Sequence, residues 1–295
     1  MSDLDVDWIH GRRGEPAIQT HFYDDDTVIL RQSKRLDYEA PFLYLLFGND
    51  RALLLDTGAT ADAATFPLRA TVDALVEQWL ARNPRVDYEL IVAHSHGHGD
   101  HVAADAQFAG RPATRVVPHG VAEVRAFYGF PGALTGAVTF DLGGRALEII
   151  GSPGHHEAAV TVYDPRTGIL LTGDTVYPGR LYVDDHDAFR DTIDRLITFS
   201  ETHPVTHVLG CHIEMTSRPG RDYPLGSRYQ PDEHVLQLTV AHLREIRDAA
   251  AQATGDSERI HRTDFILYIN PGKREKRHLL VRAKLRRLQE SLLHR

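Results

Sequence analysis

The stretch AHSHGHGDH, residues 93–101, sets the strongest limit on how this chain can fold: it holds four histidines and an aspartate in nine residues. A buried imidazole needs partners for two ring nitrogens, so an apolar core has no use for such a run. A solvated surface has no need of it either. The preceding YELIVA reads as a buried strand that delivers the cluster at its end. His96 and His98 are i, i+2, so in extended backbone both rings point the same way and reach one ion. Gly99 permits a turn that aims Asp100 and His101 at a second point a few ångströms away. Imidazole with carboxylate suits zinc, iron or manganese, and no thiolate cluster competes.

Three distant positions extend the pattern. GSPGHH places His155 just after a strand, LLTGDT places Asp174 after another, and VLGCHIE places His212 after a third. Ligand-binding groups of α/β sheets gather where strands end. Ligand-type residues at four separate strand ends point to a functional centre rather than to a fortuitous His-rich loop.

The rest of the chain fits an α/β protein. Residues 42–58 read as two apolar strands joined at Asn49-Asp50, and 67–82 as a helix with Leu68, Val72, Leu75, Val76 and Leu80 at helical spacing. HVAADAQFAG reads as a short helix ended by Gly110. Strands follow in ALEIIG, AAVTVYD and ILLTGD, then a helix over 187–200 and a strand in VTHVLGCH. After His212 the spacing predicts a loop, a helix over 231–252, a strand in FILYINPG and a basic helix over 276–293. In that last helix Val281, Leu285, Leu288 and Leu292 form one stripe. Residues 1–213 are read as a core domain whose first ~16 residues are an arm, and 214–295 as a C-terminal extension packed on it.

Charge and composition exclude some roles. The net charge of −8 disfavours general affinity for nucleic acid, although 273–295 carries nine Lys/Arg against Glu275 and Glu290. One cysteine, Cys211, forms no internal disulfide. The N-terminal MSDLDVDWIHGRRGEP lacks an apolar signal segment, and no run approaches a membrane span. The expectation is a cytoplasmic protein with a small-molecule substrate and neither nucleic-acid nor membrane partners. The basic helix is read first as packing on the domain, next as a homodimer contact.

The motifs Asp56-Thr57-Gly58, His96-x-His98-x-Asp100-His101, Pro153-Gly154-His155, Thr172-Gly173-Asp174 and Gly210-x-His212 resemble, in this order, those of the metallo-β-lactamase fold superfamily over roughly residues 17–213. The resemblance implies a four-layer αββα sandwich with a C-terminal, mainly helical extension and a dinuclear metal centre between the sheets. It assigns His96, His98 and His155 to one metal and Asp100, His101 and His212 to the other, with Asp174 bridging. Asp56 supports the site without ligating. Zinc is the first expectation, with iron and manganese as alternatives.

A bridging carboxylate at Asp174 is not the usual arrangement of true β-lactamases of this fold. Cys211, tempting as a thiolate ligand, is adjacent to His212 and faces the other way on a strand. It is read as a small buried residue. The centre matches the glyoxalase II-like and lactonase-like hydrolases better, and GCHIEMT resembles a glyoxalase II element with Cys211 inserted. Only Asn270-Pro271 matches that family's terminal substrate-binding stretch.

The expected reaction is attack on an ester, thioester or lactone carbonyl by a water shared between two cations, its pKa lowered toward about 7. Asp100 ligates and orients that water. Tyr177, Arg180 and Tyr182 follow Asp174 closely and are candidate pocket residues, the two tyrosines as oxyanion donors. Tyr223 and Tyr229 are candidates to cover the pocket. A shifted ligand set, His94-x-His96-x-His98, leaves Asp100 and His101 out of register, so His94 and His156 are read as supporting or lining residues. Two other readings remain: a mononuclear-iron sulfur (persulfide) dioxygenase, and a metal-binding module without turnover.

Overall fold

Long, fully buried strands such as FLYLLF are what a sheet covered on both faces requires, and the fold supplies that cover. The computed structural model describes residues 4–254, 257–272, 281 and 283–285. Strands β1 (Ile18–Asp24), β2 (Thr27–Gln32), β3 (Phe42–Phe47), β4 (Arg51–Leu55), β5 (Glu89–Ala93) and β6 (Thr114–Val116) lie side by side in that order. Pairing is antiparallel as far as β4 and parallel beyond it. A second sheet holds β7 (Ala137–Asp141), β8 (Ala146–Gly151), β9 (Val160–Asp164), β10 (Ile169–Gly173), β12 (His207–Gly210) and β13 (Gln237–Leu238), running from β7 at one edge to β13 at the other. Between β10 and β12 the chain forms β11 (Arg180–Val183), which pairs with β15 (Ile266–Ile269) and, through it, β14 (Glu258–His261) in a third, three-stranded sheet.

The two large sheets share one core. Tyr44, Leu46, Leu53, Leu55 and Ile91 of the first meet Leu147, Ile149, Val160, Leu171 and Leu209 of the second. On the outer face of the first sheet, Leu43, Leu45 and Leu54 lie under α1 (Leu68–Arg82), which buries Leu68, Val72, Leu75, Val76 and Trp79 at the expected spacing. On the outer face of the second, Ile150, Leu170 and Val208 lie under α5 (His186–Thr202) and α6 (Val240–Gln252). This is the expected mixed α/β sandwich in four layers. Among the described residues no helix is long and apolar enough to cross a membrane.

Some elements differ from the sequence expectation. HVAADAQFAG forms two single turns, α2 (Gly99–Val102) and α3 (Asp105–Phe108). A helix α4 (Val121–Tyr128), not anticipated, buries Val124 and Tyr128. The helix expected over 231–252 begins only at Val240. Residues before it are drawn elsewhere: Arg31 holds the Glu233 carboxylate from two sides, and Leu238 pairs with Val208. The N-terminal arm is anchored, with Leu4, Trp8 and Ile9 buried. Most of the basic helix lies outside the described residues. Of its stripe, Val281 and Leu285 are about half exposed, while Ala283 between them is buried against Gly226.

One ion pair fastens the sheets together at the end opposite the histidines. Arg145, in the β7–β8 turn, pairs with Asp164 (2.6 Å), both side chains 1 % exposed. It also donates to the carbonyls of Asp26 and Phe47 and to Thr27 Oγ1 in the first sheet. Burial alone would raise the Asp164 carboxyl, but the Arg145 guanidinium, with Thr167 and the Arg166 main chain, holds it below its ordinary value. Arg145→Met strands a buried carboxylate and should cost about 3–5 kcal/mol in urea unfolding at neutral pH. A depressed native value stabilises above the unfolded-state value and is lost as pH falls through the native one. The gap between wild type and variant should therefore narrow below about pH 4; a gap independent of pH would show that this ionisation is not its source.

Candidate metal centre

The ligand-type residues lie where strands end at one rim of the sandwich. β5 runs out at Ala93 and delivers His94–His98, and α2 carries Asp100 and His101. β8 leads to His155, β10 to Asp174 and β12 to His212. Close backbone approach makes this convergence feasible. Gly173 has φ +54° and sits where a Cβ would come 2.6 Å from the Ser95 side chain.

Two groups form. In the first, His98 Nδ1 lies 2.9 Å from His96 Nε2 and 3.0 Å from His155 Nε2. In the second, His101 Nε2 and His212 Nε2 face Asp100 Oδ2 at 3.4 and 3.3 Å. Asp174 stands between them. Its Oδ2 is 3.6 Å from His155 Nε2 and 3.9 Å from His96 Nε2, and its Oδ1 is 3.4 Å from His101 Nε2 and 3.2 Å from His212 Nε2. All seven residues expected from the sequence are therefore together: His96, His98 and His155 form one set, and Asp174, expected between the two, groups with Asp100, His101 and His212.

The outward ring nitrogens decide which atoms face inward. A carbonyl only accepts, so His155 Nδ1–H donates to the Tyr182 carbonyl (2.7 Å) and His212 Nδ1–H to the Glu39 carbonyl (3.0 Å). His101 Nδ1–H donates to Asp56 Oδ2 (2.9 Å). The Nε2 atoms of His101, His155 and His212 thus point at carboxylate oxygens and at one another. His101 Nε2, His212 Nε2 and Asp174 Oδ1 are buried without any hydrogen-bond partner. Acceptors converging on acceptors are stable only around positive charge, and imidazole–carboxylate sets of this kind fit divalent cations.

Electrostatics sort the groups in the same way. Burial holds the imidazoles of His96, His98 and His155 below their ordinary value, so they are neutral and their lone pairs are available. Burial also opposes charge at His101 and His212, but Asp100 and Asp174 lift both well above the usual imidazole value. The same histidines hold the two carboxylates well below theirs, against burial. The second group therefore demands cationic charge that protons supply when no metal does.

Asp56 supports His101 from behind. Its backbone is left-handed (φ +70°), a conformation costing on the order of 1–3 kcal/mol. That turn lets its carboxylate accept from Ser95 N (2.7 Å), Ser95 Oγ (2.8 Å), His101 Nδ1 and, at 3.3 Å, the Cys211 thiol. Burial and Asp56 push the Cys211 thiol well up, so it is a protonated donor under His101. His94 turns away from the two groups to Asp105 (2.8 Å), which also receives Thr57 Oγ1. The His156 ring lies 5.0 Å from that of His98, beside the first group.

The aromatic candidates need correction. Tyr177 is buried and its hydroxyl donates to the Arg180 carbonyl, so it is no free oxyanion donor; its ring backs His212 at 5.4 Å. Arg180 is also committed, to Glu214, Asp222 and the Tyr223 carbonyl. Tyr182 is half-buried against Tyr268, and its main chain, not its phenol, holds His155. Tyr223 is held through its hydroxyl by Asp232 N, and the Tyr229 ring lies tilted beside His10 at 5.8 Å. The sequence reading missed Ser95 and Glu39. Ser95 sat visibly inside the histidine run, whereas nothing in the pattern around Glu39 marked its carbonyl.

Residues 39–211 match the family model described as the metallo-beta-lactamase superfamily. A hydroxyacylglutathione hydrolase of Acidiphilium cryptum is 28% identical over 196 residues, covering 65% of this chain and 76% of that protein. One from Rhizobium meliloti is 24% identical over 201 residues, covering 65% and 70%. Among solved structures, the DIM-1 metallo-beta-lactamase superposes with a TM-score of 0.53 at 14% identity, over 81% of this chain and 99% of that one. A metallo-beta-lactamase from Pontibacter korlensis gives 0.51 at 16%, over 80% and 100%. Five motifs in order, their convergence at one rim and a family match over more than half its length agree: the chain belongs to the metallo-beta-lactamase superfamily.

Proposed function

We propose that this chain is a dinuclear metallo-hydrolase that cleaves a small ester, thioester or lactone. The observation that carries the reading is the position of Asp174, whose two oxygens face different histidine groups. In this reading His96, His98 and His155 would hold one divalent ion and Asp100, His101 and His212 the other, with Asp174 placed to serve both. Bound there, such ions supply Lewis acidity and a water that ionises near neutral pH. Zinc is the first expectation.

The chain's own groups do the rest. His155, His212 and His101 are locked in tautomer and direction by Tyr182, Glu39 and Asp56. Asp100 is more open than Asp174, at 22% against 9% side-chain exposure. It would orient the attacking water. The Tyr182 phenol is protonated at neutral pH, as a phenol ordinarily is, and burial pushes it further up, so Tyr182 is the remaining donor candidate. A complete second group separates this reading from a single-iron dioxygenase, which would leave that group idle. The thioester option draws support from the relatives' name. The single cysteine fits a reducing, cytoplasmic setting.

A hydrolysis screen of thioesters, lactones, phosphodiesters and β-lactams on protein of measured metal content tests the proposal. About two ions per chain with ester, thioester or lactone turnover is expected. One iron with oxygen consumption, or bound metal with no turnover, would replace it. Asp174→Ala should lose one ion and more than ~100-fold in activity; retention of both ions would remove the bridging role. Cys211→Ser should keep wild-type metal content by elemental analysis, whereas loss of one ion would make the sulfur a ligand.

A further inference from the structure

A buried ion pair near the centre touches none of its ligand-type residues. Arg180, at the start of β11, is 3% exposed, and Glu214 is 8% exposed. Glu214 Oε2 accepts from the Arg180 main-chain N–H (2.7 Å), and Glu214 Oε1 pairs with the guanidinium. The other guanidinium nitrogen donates to Asp222 Oδ2 and to the Tyr223 carbonyl, both at 2.8 Å.

The two partners sit at equivalent offsets from the two ligand groups. Two residues after Arg180 comes Tyr182, whose carbonyl fixes His155 in the first group. Two residues before Glu214 comes His212 of the second group. The strand end is tied to the same loop by Asp184 N and Asp185 N, which both donate to the Gly154 carbonyl at 2.9 Å. On the other side, Glu214 N and Met215 N both donate to the Pro178 carbonyl, at 2.9 and 3.0 Å.

From this arrangement we infer that Arg180 and Glu214 are a positioning pair that sets the spacing of the two metal half-sites. If the pair is lost, the start of β11 loses its side-chain tie to the segment after β12, while its pairing with β15 and the bonds at Gly154 stay. The Tyr182 carbonyl is then held less firmly against His155 Nδ1, and the direction of the inward lone pair of His155 loosens. Asp222 and Tyr223 extend the clamp into the C-terminal segment, so that segment tunes the metal centre without contacting metal. The inference rests on the dinuclear reading above.

Titration of metal-stripped full-length protein with Co2+ alone, followed by its visible bands, tests it. Wild type should bind two Co2+ per chain; binding of fewer overturns the dinuclear reading and this inference with it. Given two in wild type, Arg180→Met and Glu214→Gln should each weaken both steps by about 10–100-fold and shift the bands. Arg180→Lys keeps the charge and the fold but cannot hold Glu214, Asp222 and the Tyr223 carbonyl together. It should still lose about tenfold. Arg145→Met breaks a buried pair remote from the centre and controls for stability; it should keep wild-type affinity and spectrum. Arg180→Lys and Glu214→Gln with wild-type affinity and bands would overturn the positioning role while leaving the dinuclear reading intact.

Discussion

The structure is organised around an electrostatic conflict. Lone pairs of histidine nitrogens and the oxygens of Asp100 and Asp174 are aimed at a common buried space. Left alone, such acceptors repel, and burial magnifies the repulsion because little water is present to screen it. Only cationic charge between them resolves the conflict, and the pull of Asp100 and Asp174 on His101 and His212 is the same demand expressed through protons. The surrounding fold must hold these groups against their own tendency to separate.

It does so by attaching each one to a rigid element. The inner core between the sheets fixes the strands; Asp174 and His212 follow β10 and β12 within two residues, and the other ligand-type residues sit on the short segments that leave β5 and β8. Behind them stands a layer of directed hydrogen bonds: Asp56 on His101, the Tyr182 carbonyl on His155, the Glu39 carbonyl on His212. The left-handed Asp56 is a local cost that this arrangement sustains, since no extended conformation would bring its carboxylate under Ser95 and His101 together. Arg145 fastens the end of the sandwich opposite the rim that carries the ligand-type residues.

The C-terminal segment belongs to the same framework. It contributes β13 to the second sheet, and through β15 it pairs with β11, the strand whose carbonyl orients His155. Arg31 and Lys34 reach Glu233 from the first sheet, so the loop before α6 is held by buried charge as well as by pairing. Changes in this segment can therefore be felt at the metal centre without any contact to a ligand.

Much of this was legible in the residues. Histidine spacing of two, glycines at the turn and ligand-type residues after apolar runs marked seven site positions, because ligand chemistry restricts residue type and strand ends restrict place. Helix α1 and strands β3, β4 and β5 were equally plain, since their apolar periodicity is local. Other features were settled only by tertiary contact. A hydroxyl's partner depends on what folds beside it, so Tyr177 was a candidate donor in the sequence and is a spent one in the structure. Glu39 serves through its carbonyl, which every residue carries, and no side-chain pattern could single it out. The sequence by itself determined which groups would gather and why they need cations; the fold decided which way each one points, because direction comes from long-range hydrogen bonds that no local pattern encodes.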